Sequence, residues 1–216
     1  MPQVFSRRSA LAVKLVVVGV AAAIVALVAV GGVWREHSVQ ALGEPLVQPI
    51  PFSHKHHVGD DGIDCRYCHT TVETSRHAGL PSTHVCLTCH SQLFRDAPLL
   101  QPLHESARTG TPIAWQRVHD LPDFVFFDHG VHVAKGVGCV ECHGRVDQMP
   151  LTWRAQPLQM QWCLDCHRDP APRLRPPSQV FDMTSVAPGG AEGRRLAAAL
   201  HVESTRRLTD CSTCHR

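Results

Sequence analysis

The chain has a single tyrosine among 216 residues, and only 6% of it is aromatic. It has no basic stripe interleaved with aromatics: 21 Lys and Arg face 19 Asp and Glu, for a formal charge of +2 and a pI near 8.1. That balance excludes the electrostatic footprint of a nucleic-acid binder. No phosphate-binding glycine loop occurs, and no carboxylate and histidine are spaced as a proton-transfer pair. Leu15 to Trp34 contains no charge at all. With 44% apolar and 19% charged residues, the chain is neither a disordered tail nor a fibrous repeat. One or two modest domains fit its length.

What is abundant is cysteine, with ten, and histidine, with 16. All ten cysteines fall into five copies of C-x-x-C-H: Cys65 to His69, Cys86 to His90, Cys139 to His143, Cys163 to His167 and Cys211 to His215. The spacing has a chemical reason. Two thiols one helical turn apart add across the two vinyl groups of a haem, and the imidazole of the next residue becomes the proximal iron ligand. Structural zinc does not explain a histidine fixed directly after every second cysteine, nor do disulfides or a thioredoxin-like site. The expectation is five haems c, held covalently by Cys65, Cys68, Cys86, Cys89, Cys139, Cys142, Cys163, Cys166, Cys211 and Cys214. The proximal ligands are then His69, His90, His143, His167 and His215.

The uncharged run from Leu15 to Trp34 is 20 residues long, enough to cross a hydrocarbon core at about 1.5 Å per residue. It exceeds the apolar stretch of a cleaved secretory signal, and Gly31-Gly32-Val33-Trp34 makes a poor cleavage site. An uncleaved single-pass anchor is expected, with Trp34 as an interfacial aromatic. Arg7, Arg8 and Lys14 precede it while Arg35 and Glu36 offset each other behind it, which places the N-terminus in the cytoplasm. The haem-bearing part then lies on the periplasmic, extracytoplasmic side of the cytoplasmic membrane, where haem c is attached.

The chain also repeats itself. Phe52-Ser53-His54-Lys55-His56-His57 precedes the first motif and Phe127-Asp128-His129-Gly130-Val131-His132 precedes the third, both of the form F-x-H-x-x-H. The expected organisation is a cytoplasmic N-terminus (1–14), an anchor (15–34) and a linker (35–51), followed by a first dihaem module (52–90). A connection of little periodicity (91–126) leads to a second dihaem module (127–168). A Pro- and Gly-rich surface linker (169–193) then precedes a C-terminal helix carrying the fifth motif (194–216). The fold class expected is a mostly α and irregular multihaem cytochrome c with a haem-filled core, little sheet and one N-terminal transmembrane helix. Two propionates per haem would move the charge from +2 to roughly −8 in the ferrous state.

Whether such haems carry electrons or perform chemistry depends on the sixth iron position. Eleven histidines remain after the five proximal ones. Histidines three apart lie about one helical turn from each other, so the repeated pairs His54 with His57 and His129 with His132 are the expected distal ligands. His119 is expected to supply the fifth, with Met149 and Met160 as thioether alternatives. His77, His84, His104 and His201 stand behind them, and His37 and His56 read as solvated.

Several longer stretches carry a resemblance: PFSHKHHV, CRYCHTTVE, LPDFVFFDHGVHVAKGVGCVECHGRVDQMP, LQMQWCLDCH and DCSTCH. In these the chain resembles the membrane-anchored pentahaem cytochrome c subunit of alternative complex III, a quinol-oxidising assembly. Leu87 departs from the family's methionine at a position that is not a ligand. The resemblance implies that quinol, menaquinol foremost, is oxidised by integral membrane subunits. It also implies that this chain passes electrons among an iron–sulfur subunit, a monohaem cytochrome c and an external acceptor, and is not an enzyme by itself. The alternatives are a tetrahaem-type quinol dehydrogenase feeding a reductase, and a catalytic multihaem reductase.

Overall fold

The computed structural model describes residues 6–38 and 42–215, except for the side chains of 34–38. The expected interfacial role of Trp34 and the solvated reading of His37 fall outside the described side chains. About half of the chain is helical, and among the described residues strand pairing is limited to two isolated antiparallel bridges, Pro45 with Trp153 and Val137 with Leu174. Two compact units are distinguished, residues 1–41 and 42–216.

The first unit is a single helix, α1, Arg7–Ser38. Its stretch Arg7–Val33 is long and apolar enough to cross a membrane. Leu15, Val18, Leu27 and Val28 are all exposed, so the helix is apolar all round and its own unit covers none of it.

The second unit is built from short helices. In chain order these are α2 Cys65–Cys68, α3 Thr83–His90, α4 Gln101–Thr109, α5 His129–Ala134 and α6 Cys139–His143. After them come α7 Met160–Arg168, α8 Gly190–Ala199, α9 Thr205–Leu208 and α10 Cys211–Cys214. A π-helical turn occupies Lys55–Asp60. Each C-x-x-C-H motif has its cysteines on one of these helices, and three of the caps are legible in the residues. Asp64, Asp128 and Asp210 accept from the backbone N–H of Arg66, Val131 and Ser212 at the starts of α2, α5 and α10.

The side chains form small clusters instead of one large core. Ile50, Leu100 and Leu103 pack with Cys86, Leu87, Ala97, Ile113 and Trp115, joining α3 to α4, and Thr83 and Ser106 hydroxyls meet at 2.7 Å across the same contact. The connection 91–126 thus contains a helix whose apolar residues hold the second motif.

The Pro- and Gly-rich stretch 169–193 is not a surface linker. Ala171, Leu174, Arg175, Val180 and Met183 within it are buried. Composition misleads here because its prolines set short 3₁₀ turns (Ala171–Arg173, Pro177–Gln179) that fold Leu174 and Val180 inward. Gly193 lets α8 close onto this stretch, since a Cβ there would stand 2.2 Å from the Ala171 carbonyl oxygen. The C-terminal segment also departs from one continuous helix: α8 stops at Ala199, His201 takes a left-handed φ of 50°, and α9 and α10 follow as separate turns.

Candidate haem sites

The ten thiols are free. Burial pushes the thiols of Cys139 and Cys142 up to about 11 and about 12. Cys65, Cys68, Cys86, Cys163, Cys166 and Cys214 are raised by the same cause.

Four of the five motif histidines are oriented by their Nδ1 atoms. His69 meets the Gly79 carbonyl at 2.7 Å, His90 the Leu93 carbonyl at 3.0 Å, His167 the Leu208 carbonyl at 2.9 Å and His215 the Phe124 carbonyl at 3.1 Å. A carbonyl only accepts, so each Nδ1 carries the proton and each Nε2 keeps its lone pair.

The F-x-H-x-x-H histidines follow the same rule. His57 donates from Nδ1 to the Ser53 carbonyl at 2.9 Å, His129 to that of Arg76 at 2.8 Å and His132 to that of Asp128. His54 Nδ1 lies 2.8 Å from the Thr152 hydroxyl. The repeated phenylalanines hold these rings in matching poses. Phe52 stacks on His57 at 4.5 Å and meets His54 edge-on at 4.9 Å; Phe127 stacks on His132 at 4.5 Å and meets His129 edge-on at 4.7 Å.

Burial keeps several of these imidazoles neutral. It lowers His54 to about 4, with His69, His57 and His119 adding repulsion, and lowers His143 to about 3, with His119, His129, His69 and His54 adding to it. His129 and His132 are lowered by burial as well.

Three of these rings approach a motif ring, His129 and His132 within 30° of parallel and His57 at 64°. The centroids of His57 and His90 are 6.2 Å apart, those of His129 and His143 6.4 Å, and those of His132 and His167 6.1 Å. A metal–imidazole bond of about 2 Å, with the nitrogen about 1 Å from its ring centre, places two rings on opposite sides of one iron about 6 Å apart. Direct stacking would bring them closer, as in the phenylalanine contacts at 4.5 Å. The residues present therefore fit haem iron between paired neutral imidazoles.

A model of cytochrome c7 and related cytochromes c matches residues 125–216, the part that holds the third, fourth and fifth motifs. The multihaem cytochrome c subunit of menaquinone reductase from Nitratidesulfovibrio vulgaris is 36% identical over 169 residues, covering 78% of this chain and 67% of the relative. The chain belongs to the multihaem cytochromes c.

Other expected residues of this multihaem cytochrome sit differently. His119 lies edge-on to His143 with centroids 4.3 Å apart, too close for an iron between them, whereas the ring against His215 is that of Phe124. Met149 is buried, and its carbonyl accepts from the Lys55 N–H at 3.0 Å, on the turn that carries His54 and His57. Met160 is exposed at the start of α7. His56 points to solvent beside Asp60 and Asp61, at 3.9 and 3.5 Å.

Sequence reasoning passed over the acceptors that orient the rings; the carbonyls of Arg76, Leu208 and Phe124 are 41 to 91 residues from the rings they meet. It also passed over Arg175, fully buried and bonded to Glu141 inside the third motif, with Arg173 at 3.3 Å on the other carboxylate oxygen. The F at the head of each F-x-H-x-x-H was a visible signal for the ring stacking.

Proposed function

We propose that this chain is a membrane-anchored pentahaem electron-transfer subunit of a quinol-oxidising complex. Its five C-x-x-C-H motifs bind five haems c, with His69, His90, His143, His167 and His215 as proximal ligands. The observation that carries this is the set of three facing ring pairs at 6.1 to 6.4 Å, each joining a motif histidine to a histidine of the F-x-H-x-x-H repeats.

His57, His129 and His132 are assigned as distal ligands to the irons of His90, His143 and His167. His54, which stands in the first F-x-H-x-x-H copy where His129 stands in the second, is assigned by that correspondence to the iron of His69. The repeated units 52–90 and 127–168 are the two dihaem modules. His119 is assigned as a neighbour packed on the His143 ring rather than as a ligand opposite His215.

Haem supplies reversible one-electron chemistry. The chain's own residues fix imidazole orientation through Nδ1, exclude water around the third motif, and close iron positions to small molecules, which favours outer-sphere transfer over catalysis. Within the complex, integral membrane subunits oxidise menaquinol, and this chain exchanges electrons with an iron–sulfur subunit, a monohaem cytochrome c and an external acceptor. The stretches resembling alternative complex III support that assignment, and so does a relative whose name joins a multihaem cytochrome to menaquinone. Helix α1 anchors the chain in the cytoplasmic membrane, with Arg7, Arg8 and Lys14 on the cytoplasmic side and the haems outside.

A pyridine haemochrome assay on the purified full-length chain should give five haems c. The variants His57→Ala, His129→Ala and His132→Ala should keep all five, because the cysteines hold them, and each should show a new high-spin electron paramagnetic resonance signal. An unchanged low-spin spectrum in all three variants would remove these histidines from the ligand set.

A further inference from the structure

The contacts between motifs do not follow their order in the chain. Tyr67, inside the first motif, shares a 2.8 Å hydrogen bond with Thr88, inside the second. Arg66 of the first motif lies over the Phe181 ring at 4.6 Å, and the carbonyl of the adjacent Val180 accepts from the Cys139 N–H of the third motif at 3.1 Å. Beside it, α5 touches the loop after the first motif: His129 and Gly130 bond through Nδ1 and backbone N–H to the Arg76 and Ser75 carbonyls, at 2.8 and 3.0 Å. That approach needs Gly130, where a Cβ would stand 3.0 Å from the Glu73 carbonyl oxygen.

The third and fourth motifs are joined twice. His129 and His132, one turn apart on α5, face His143 and His167 respectively. Glu141 of the third motif also pairs with Arg173, just beyond the fourth. The fourth motif is then tied to the segment entering the fifth, since His167 Nδ1 donates to the Leu208 carbonyl at 2.9 Å and the Thr205 hydroxyl to the Arg168 carbonyl at 3.1 Å.

Exposure agrees with these contacts. Of the ten cysteines, only Cys89 of the second motif and Cys211 of the fifth are exposed.

We propose that the haem sites adjoin in the order second, first, third, fourth, fifth. The two ends at which electrons enter and leave are then the second and fifth motifs, with the third at the centre. The order rests on the five-haem reading above and deepens it. With haem bound at each motif, each step along this path would oxidise one ferrous iron and reduce its ferric neighbour, with no atom transferred. The first motif in sequence is thereby an interior relay, and a partner docking at either end meets an exposed motif cysteine, Cys89 or Cys211.

One contact points elsewhere. Arg76, in the loop after the first motif, lies over the Phe126 ring at 5.0 Å, and Phe126 N–H donates to the Cys214 carbonyl of the fifth motif. The step from first to third rests on the bonds of His129 and Gly130 to the Arg76 and Ser75 carbonyls as well as on an arginine over a ring, and the residue after Phe126, Phe127, stacks on His132, which lies against the fourth motif's His167.

The test is to locate the irons by anomalous scattering at the iron edge in crystals of the full-length holoprotein. The expected result is five irons, with the third motif's iron nearest those of the first and fourth, and the second and fifth motifs' irons each having one close neighbour. Five irons in chain order, or a fifth-motif iron nearest that of the first, would overturn the path and leave the five-haem reading standing. A motif without iron would overturn that reading and the path with it.

Discussion

Replacing Gly138 with alanine tests whether the buried guanidinium of Arg175 organises the third motif. Gly138 has a φ of −70°, open to any residue, so the substitution probes packing alone. An added Cβ would stand 2.2 Å from Arg175 Nη1, 2.5 Å from Cζ and 2.7 Å from Nε. Arg175 has little room to retreat. It is 0% exposed, its Nη2 bonds to Glu141, and its N–H donates to the Gly136 carbonyl at 2.9 Å. Overpacking of this kind costs about 1–3 kcal/mol, and expelling one partner of a buried ion pair costs about 3–5 kcal/mol. Glu141 keeps Arg173 and some exposure, so the lower end applies, and Gly138→Ala should destabilise by about 3 kcal/mol. In an Arg175→Met background the flexible thioether can bend aside, and the same substitution should cost under about 1 kcal/mol. The double-mutant coupling of about 2 kcal/mol is read from guanidinium chloride unfolding of the full-length protein in detergent, followed at the Soret band. Additive effects within about 0.5 kcal/mol would refute the close packing of Gly138 on Arg175.

Two further outcomes follow from the same physical picture. His119 is lowered to about 4, by burial first and then by Arg154 and His129, so the unfolded chain binds its proton more readily than the folded one. Its stabilising contribution is full above about pH 6.5 and falls as the pH drops towards 4; His119→Gln should flatten the pH dependence of unfolding in that window, and an unaltered slope would show that His119 is not buried neutral. Full-length chain in detergent, without other subunits, should exchange electrons with small redox mediators yet fail to oxidise a menaquinol analogue at the rate of the assembled complex, because helix α1 offers no ionisable residue between Leu15 and Trp34. Comparable turnover by the lone chain would make it a quinol dehydrogenase instead.

The motif chemistry was legible because it is local. Two cysteines and a histidine within five residues share one helical turn, and an aspartate before Cys65 or Cys211 caps that turn whatever the rest of the chain does. The F-x-H-x-x-H repeat was visible for the same reason, and both copies fold into the same phenylalanine and histidine arrangement. Composition was a poorer guide. The prolines and glycines of 169–193 suggested solvent, but proline fixes a turn without deciding which side of it is covered, and Leu174, Arg175 and Val180 point inward.

The sequence alone determined where the C-x-x-C-H motifs stand, how many there are, and that one helix is long and apolar enough to span a membrane, since each of these depends on neighbours a few residues apart. Tertiary structure decided which histidine faces which. His57 meets His90, His129 meets His143, His132 meets His167, and His119 packs against His143. These pairings join residues 14 to 35 apart through backbone carbonyls and close glycine contacts that no motif records. A ligand pair depends on the direction in which two separately anchored rings point, and that direction is set only when the elements carrying them pack.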